Sequence, residues 1–537
     1  MHRALHIHEV LQVIFENFLP VHDDRSLTFA SYEWYASFVA GKSTSRTLLS
    51  LAVTCRTFLE PALNALWWAM DDLTPLLALM NGYKDIMDGH EDRIKVISGY
   101  ISDSECEKLF SYAERIKLYY CHRSHRILIH SYLQILHAAG RSSILPSLKY
   151  LLCTASCPEL LCLLTPSLRV LNVNITQMSE REYYTIENLR AFISCLPRQT
   201  PDLIGIRIEA HISQECLEPI FNASGPNLRY LRLDHDLYYD DATFWDSISI
   251  TSPSVKSLSS LAINLSHLHL GRGIDFLYEK RAMSPCMFTA LEKLEIEVEG
   301  VKNFKGLMNF FRMACLPVLK HMKLASYCPE DSNCSAQNWD DLMKILVRAT
   351  NTNFTSLQIF WTWEDEFSLT LNEIPQILGF RLTSFGTDIL KTVTCADIRT
   401  MAGIWSHLNE LDLSTSMDFP ELVEIARSFP HIQQLAVSLT EKLPPSFSII
   451  PVLKHPLREL RLSSYYGLKG QDHHIINLAH CIDRLFPALD VLIYSALSDA
   501  EAKQWDEVKR ILKAFQVARK DEVTRESEDS GVDAQLS

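Results

Sequence analysis

A short apolar signature, Pro-x-Leu-x-x-Leu-x-Leu, recurs along this chain and restricts its fold more than any other feature. It reads Pro146-Ser147-Leu148-Lys149-Tyr150-Leu151 and then Pro166-Ser167-Leu168-Arg169-Val170-Leu171-Asn172-Val173. It returns as Pro226-Asn227-Leu228-Arg229-Tyr230-Leu231-Arg232-Leu233 and as Pro317-Val318-Leu319-Lys320-His321-Met322-Lys323-Leu324. Weaker copies begin at Pro201, Pro253 and Thr289, and later ones run Leu408 to Leu413, Ile432 to Val437, Leu457 to Leu462 and Pro487 to Leu492. The last apolar pair alternates with period two, the mark of a short strand. Several copies follow a stretch with helical spacing: Leu189, Phe192, Ile193 and Leu196 before Pro201; Leu422, Ile425, Ala426 and Phe429 before Ile432; Leu478, Ala479, Ile482 and Leu485 before Pro487. Each such unit exposes an apolar face until its neighbour covers it.

Helix, turn and short strand in repetition is leucine-rich-repeat logic. It predicts an α/β fold with an irregular solenoid over residues 146–515. The first leucines of successive copies, Leu148, Leu168, Leu203 and Leu228, are unevenly spaced, whereas regular repeats run about 20–29 residues. The asparagine or cysteine that usually follows the second leucine is mostly missing, so the expected horseshoe is divergent. A non-repetitive α/β fold with several Pro-x-Leu turns is the competing reading. In a horseshoe the residue between the last two apolar positions faces the concave side. Those positions hold Asn172, Arg207, Arg232, Glu295, Lys323, Asp412 and Arg461, the candidate target-binding residues. A lining of mixed charge suits an irregular protein surface better than a small-ligand pocket. Taken singly, each also reads as an ordinary solvated strand residue.

The first seventy residues obey a different period. Val10, Leu11, Ile14, Phe15, Phe18 and Leu19 form one helical stripe ended by Pro20, and a second stripe runs Leu48, Leu49, Leu51, Ala52 and Cys55. A third helix is expected to start near Glu60-Pro61, where proline suits a first turn, and to continue through Leu63, Leu66 and Trp67. Glu9-Val10-Leu11, Ile14-Phe15, Leu51-Ala52-Val53-Thr54-Cys55-Arg56-Thr57-Phe58 and Leu66-Trp67 follow the order and chemistry of an F-box, and Glu60 to Trp67 resembles the F-box proteins of fungi. That resemblance covers roughly residues 4–70. It implies a helical module binding a Skp-type adaptor and, through it, a cullin–RING ubiquitin ligase of the SCF type. It further implies adaptor contacts at Ile7, Val10, Leu11, Ile14, Phe15, Leu51, Cys55, Phe58 and Trp67. His6-Ile7-His8 stands where the family usually has Leu-Pro or Ile-Pro, and residues 21–46 are a long insertion carrying Phe29, Tyr32, Trp34, Tyr35 and Phe38. The insertion reads as a helix folded back on its own domain or as an extra partner contact. The alternative for the whole module is a cap closing the solenoid, in a repeat scaffold with no ligase link.

Residues 71–145 are expected to be a helical bridge, with Leu109, Tyr112, Ala113 and Ile116 at helical spacing, and residues 516–537 a disordered polar tail. The chain of 537 residues carries 51 Lys+Arg against 65 Asp+Glu, a formal net charge of −14, with no dense basic run. That balance argues against a nucleic-acid partner. No stretch reads as a signal peptide or a membrane span. The 14 cysteines are scattered through apolar runs, as reduced buried thiols would be. A cytoplasmic or nuclear site is the expectation.

No catalytic, cofactor or metal residues are predicted. Ala40-Gly41-Lys42-Ser43-Thr44 has Ala36 where a phosphate loop needs its first glycine. Gly271-Arg272-Gly273 lacks a third glycine and its strand. Cys153, Cys157 and Cys162, and His473, His474, His480 and Cys481, lack a matching second ligand cluster. An enzyme with a non-standard site would show converging His, Cys or carboxylate groups in a deep pocket.

Overall fold

The fold was read from a computed structural model. It describes residues 8–19, 42–87, 93–121, 126–153, 158–174, 183–209, 227–234, 248–250, 265–270, 274–276, 286–298, 304–326, 335–361, 369–390, 392–440, 446–464, 472–495 and 499–533. The chain divides into two units, Met1–Leu291 with Met313–Cys315, and Glu292–Arg312 with Leu316–Ser537. Both are α/β.

Among the described residues the first unit begins with three helices, α1 (His8–Glu16), α2 (Lys42–Thr54) and α3 (Arg56–Trp67). Leu11, Phe15, Leu48, Ala52, Ala62 and Ala65 fill their interior, with Phe18, Leu19, Leu51, Phe58 and Leu66 packed around them. Cys55 is fully extended and breaks α2 from α3. The third helix therefore starts one turn before the expected Glu60-Pro61, and Pro61 lies inside it. A proline there forfeits one backbone hydrogen bond, and its buried ring offsets part of that loss by packing in the module. The last residues of the predicted insertion, from Lys42, belong to α2. Its aromatic residues lie outside the described residues.

The expected helical bridge contains helices, Asp103–Ala113 and Ile129–Ala139, but also strands. Ser102 and Glu105 cap the first of these helices reciprocally, and Gly140 ends the second at φ 63°, in the left-handed region glycine favours. Tyr83–Met87 pairs antiparallel with Arg93–Ile97, which pairs parallel with Arg126–Ile127. The main sheet also starts earlier than residue 146. Its order is Ala69–Met70, Leu118–Cys121, Tyr150–Cys153, Val170–Asn174, Gly205–Glu209, Tyr230–Asp234 and His267–Leu270, all parallel and in chain order. The first two strands escape the sequence pattern because neither is preceded by Pro-x-Leu.

The register explains the signature. Leu151, Leu171, Ile206, Leu231 and Leu268 stand side by side in one row, and Cys153, Val173, Ile208, Leu233 and Leu270 in the next. Leu148, Leu168, Leu203, Leu228 and Leu265 lie buried at the turns before them. Each leucine of the pattern thus belongs to a buried column running across the strands, so the spacing inside a unit is fixed while the length between units is free.

The second unit repeats this arrangement with Lys293–Val298, His321–Ser326, Ser356–Trp361, Ser384–Thr387, Glu410–Met417, Gln434–Leu439, Glu459–Ser464 and Val491–Ser495, again parallel and in chain order. Two of these strands, Ser356–Trp361 and Ser384–Thr387, have no counterpart among the sequence copies. Phe354 takes the place of the first leucine in one, and Phe385 and Thr387 fill the buried columns in the other. Helices Phe304–Met313, Ala336–Ala349, Cys395–Ile404, Phe419–Ser428 and Asp472–Leu485 alternate with the strands. The chain closes with a helix over Asp499–Asp533, where a disordered tail from residue 516 was expected. Trp505, Val508 and Leu512 give that helix a buried stripe, and Gln516 Nε2 donates to Leu489 O at 2.7 Å while Arg519 pairs with Asp483. These polar anchors extend the helix beyond its last apolar turn.

Candidate functional site

Three surfaces hold the residues singled out in the sequence. On the helical module, Leu11 and Phe15 are almost wholly buried. As adaptor contacts they are corrected: they form the module's own interior and could reach a partner only by unfolding it. Leu51 and Phe58 are half-buried against the same interior, with the Phe58 ring 6.0 Å from Phe15, and Cys55 is half-buried at the start of α3. The Trp67 ring lies 4.9 Å from that of Tyr112, tilted by 48°, and so packs on the first unit's own helix. Ile7 lies outside the described residues. Val10 and Ile14 do face outward, and with them stand Val13 (60% exposed), Leu49 (55%), Val53 (78%) and Leu59. The sequence reading missed these last four. Their signal was the apolar residue left over after each helix's interior stripe is assigned: Val13 beside Val10 and Ile14, and Leu49 with Val53 one turn on.

On the first sheet, Asn172, Arg207, Arg232 and His269 occupy one transverse row, as the pattern implied for the first three. The next outward row holds Asn174, Glu209 and Asp234. Arg207 and Arg232 both pair with Glu209, Arg232 Nε also meets Asp234 Oδ2 at 2.5 Å, and His269 Nε2 lies 2.9 Å from Asp234 Oδ1. Asn174 Nδ2 donates to Glu209 at 2.6 Å. Burial acts to raise the Asp234 carboxyl, but the His269 hydrogen bond and charge, and then Arg232, hold it well below the usual range. Asn172 is fully buried, with no partner for Oδ1 or Nδ2 among the described residues, and Arg207 is 6% exposed. Both are corrected as target contacts: they lie inside the protein, and the cations of this row are paired with Glu209 and Asp234 of the next.

On the second sheet, Glu295, Lys323, Gln358, Gly386, Asp412, Ala436, Arg461 and Ile493 form one row, so the four predicted residues of this unit share a face. Lys323 Nζ pairs with Glu297 at 3.0 Å, Arg461 Nε with Glu459 at 2.7 Å, and Lys293 with Glu295. Glu410 accepts from Ser384 Oγ at 2.7 Å, Asp412 from Ser414 Oγ at 3.4 Å, and Asp388 from the Trp361 amide. Glu410, Asp412, Gln434, Ala436, Glu459 and Arg461 line a shallow hollow. Burial raises the Asp412 carboxyl, against Ser414 and Arg461 and with Glu410. Burial also pushes Asp388 up to about 6, with Asp412 adding to the shift and the Trp361 amide opposing it.

The Asp388 shift has a definite sign. Its folded value exceeds its unfolded one, so the folded chain binds more protons between about pH 4 and 6, and stability falls as pH rises through that window. The displacement is worth at most about 3 kcal/mol, and about 1–2 kcal/mol for a half-buried group. Asp388→Asn is therefore expected to raise the unfolding free energy by about 1–2 kcal/mol at neutral pH, with the gain vanishing below about pH 4. Urea unfolding at the two pH values checks this; an equal gain at both would show that charge is not its cause.

Among the described residues no group of three or more His, Cys, Asp or Glu is placed to hold a metal, and no helix is long and apolar enough to cross a membrane. Cys153 is fully buried beside Cys121, and burial drives its thiol well above the usual range. Burial likewise pushes Cys481 up to about 11. Both are poor nucleophiles and poor ligands at neutral pH. Lys42 to Thr44 open α2, while Cys157, Gly271 to Gly273 and the Pro253 copy lie outside the described residues.

No family model and no curated protein matches this chain. Solved structures that align with it include one entitled "Crystal structure of Rad7 and Elc1 complex in yeast", at a TM-score of 0.34 and 11% identity, covering 67% of this chain and 80% of that one.

Proposed function

We propose that this chain is a substrate-receptor subunit of an SCF-type cullin–RING ubiquitin ligase, with α1 to α3 docking a Skp-type adaptor and the polar face of the second sheet holding a target protein. The observation that carries the reading is the outward apolar set of the module. Val10, Val13, Ile14, Leu49, Val53 and Leu59 are exposed on helices whose interior is already filled. Exposed apolar faces on so small a module fit a protein interface. The order of residues along the same helices resembles the F-box, which names the partner class.

In this reading the chain performs no bond chemistry. It raises the effective concentration of a target lysine near a ubiquitin-charged enzyme on the same scaffold, in cytoplasm or nucleus. The second reading, a repeat scaffold capped by the three helices, is favoured by the ties between the module and the helix Asp103–Ala113 with the turn that follows it. Arg115 bonds Glu60 at 2.8 Å and also Asn64, and Trp67 lies on Tyr112. Affinity purification of the full chain with adaptor and cullin as the readout separates the two. Stoichiometric recovery of both is expected; a folded chain that recovers neither is a capped scaffold.

A further inference from the structure

We infer that a basic row at the N-terminal ends of the first sheet's strands, together with the cleft it meets beside α1 and α3, binds an acidic segment of a partner polypeptide. The inference goes beyond the receptor reading, since it needs neither an adaptor nor the face of the second sheet.

The register gathers the charge. Lys117, Lys149, Arg169, Ile204 and Arg229 each stand just before a strand, and the amide of each donates to the carbonyl of the one before it at 2.7–2.8 Å, from Lys149 onward. They form a row of four cations and one apolar residue without a carboxylate, in a chain whose sequence has no dense basic run. Lys117 Nζ donates to the Glu114 carbonyl at 2.8 Å, and neither Lys117, Lys149 nor Arg229 pairs with a carboxylate among the described residues. The equivalent row of the second unit differs. It runs from Glu292 and Lys320 to Arg458 and Asp490 through uncharged residues, so its charges balance, and Lys320 Nζ meets Glu292 at 3.0 Å.

The row meets open space at one end. A half-open cavity of about 540 Å³ is lined by Lys117 and Lys149 together with Phe15, Leu19, Pro61 and Trp68. The other charged groups of its wall have partners: Arg115 bonds Glu60 at 2.8 Å, Glu114 meets Arg141 at 3.0 Å, and Glu16 accepts from Gln12 at 3.2 Å. Burial holds the Lys117 ammonium below its usual range and the Lys149 charge adds to that, against Glu114. A carboxylate entering the cavity offsets the repulsion between the two ammonium groups and gains charge-assisted hydrogen bonds from them. An apolar residue next to it in the segment finds Leu19 and Trp68 to pack on. A nucleic acid fits less well. It carries a phosphate at every step and so brings negative charge against Glu16 in the same cavity. A peptide can set carboxylates against the cations and neutral residues against the glutamate. The net charge of −14 adds to the repulsion of a long polyanion.

The test uses the full chain and two rhodamine-labelled Gly/Ser peptides, read by fluorescence anisotropy. One carries interspersed glutamates and a leucine, the other lysines in place of the glutamates. The glutamate peptide is expected to bind, more weakly as salt rises, and the lysine peptide to fail. Lys117→Gln with Lys149→Gln is expected to weaken the glutamate peptide about tenfold or more, and Arg229→Gln several-fold. Lys320→Gln, at the equivalent position of the second unit, leaves binding unchanged. Glutamine keeps most of each side chain and removes two like charges, so the double variant stays folded; its melting curve checks that, and the exposed Arg229 gives a second variant that leaves the cavity intact. Failure of the glutamate peptide to bind the wild-type chain, or equal binding to the double variant and to Arg229→Gln, overturns the proposal. So does a single-stranded thymidine oligonucleotide that binds more tightly than the peptide and loses affinity in the same variants, which assigns the row to nucleic acid.

Discussion

Val53→Asp is expected to abolish recovery of the Skp-type adaptor while leaving the chain folded. Val53 is 78% exposed on α2, so a carboxylate there is fully solvated in the free protein and changes stability by about 0.5 kcal/mol or less. Buried in an apolar interface without a partner, the same carboxylate costs about 3 kcal/mol or more, over a hundredfold in affinity. Val13→Asp, 60% exposed on α1, is expected to act alike. Leu11→Asp behaves differently, because Leu11 is 1% exposed within the module's interior. It loses the adaptor by unfolding the helices, which circular dichroism registers and which the two surface variants do not show. Adaptor binding that survives both surface substitutions would place the interface elsewhere or show that there is none.

The second large effect is on stability. Trp339 is fully buried, with its ring 4.9 Å from Trp361 at 87° and 5.2 Å from Phe304 at 65°. It comes from the helix Ala336–Ala349 and meets the strand Ser356–Trp361 and the helix Phe304–Met313, so one side chain joins three elements. Trp339→Ala is expected to cost about 3–5 kcal/mol through lost apolar burial and the cavity left behind. Among the described residues the indole N–H has no acceptor, and an N–H left orphaned by burial costs about 1–3 kcal/mol. Trp339→Phe removes that penalty along with part of the ring and is expected to lose far less than the alanine variant. Urea unfolding of the three proteins gives the ranking; equal losses in the two variants would mean that the orphan N–H matters little.

What the sequence disclosed follows from which interactions repeat. Leu148, Leu168, Leu203 and Leu228 stand in one buried column, and every strand must supply a member of it, so the α/β architecture and the outward row from Asn172 to Arg232 could be read directly. Strands that fill the column with Phe354 or Phe385 lost that legibility, because an aromatic ring satisfies the same volume without matching the pattern. Burial on the outward face was not legible at all. Asn172 and Arg461 hold equivalent positions on their strands, yet one is fully buried and the other exposed. Nothing within either strand records what covers it. The module shows the same limit: Leu11 and Val10 are adjacent apolar residues, and only packing decides which of them faces inward.

The residue-for-residue register of these strands also sets a ruler for whatever lies on them. Neighbouring strands stand about 4.8 Å apart, whereas an extended chain advances about 3.3 Å per residue. Two strand spacings therefore match about three residues of a segment crossing the sheet. Such a segment comes into phase with the outward row at every second strand, and its side chains between those points have no fixed counterpart. If this face holds a target as proposed, a bound segment would favour a period of about three residues, with the intervening positions free to vary.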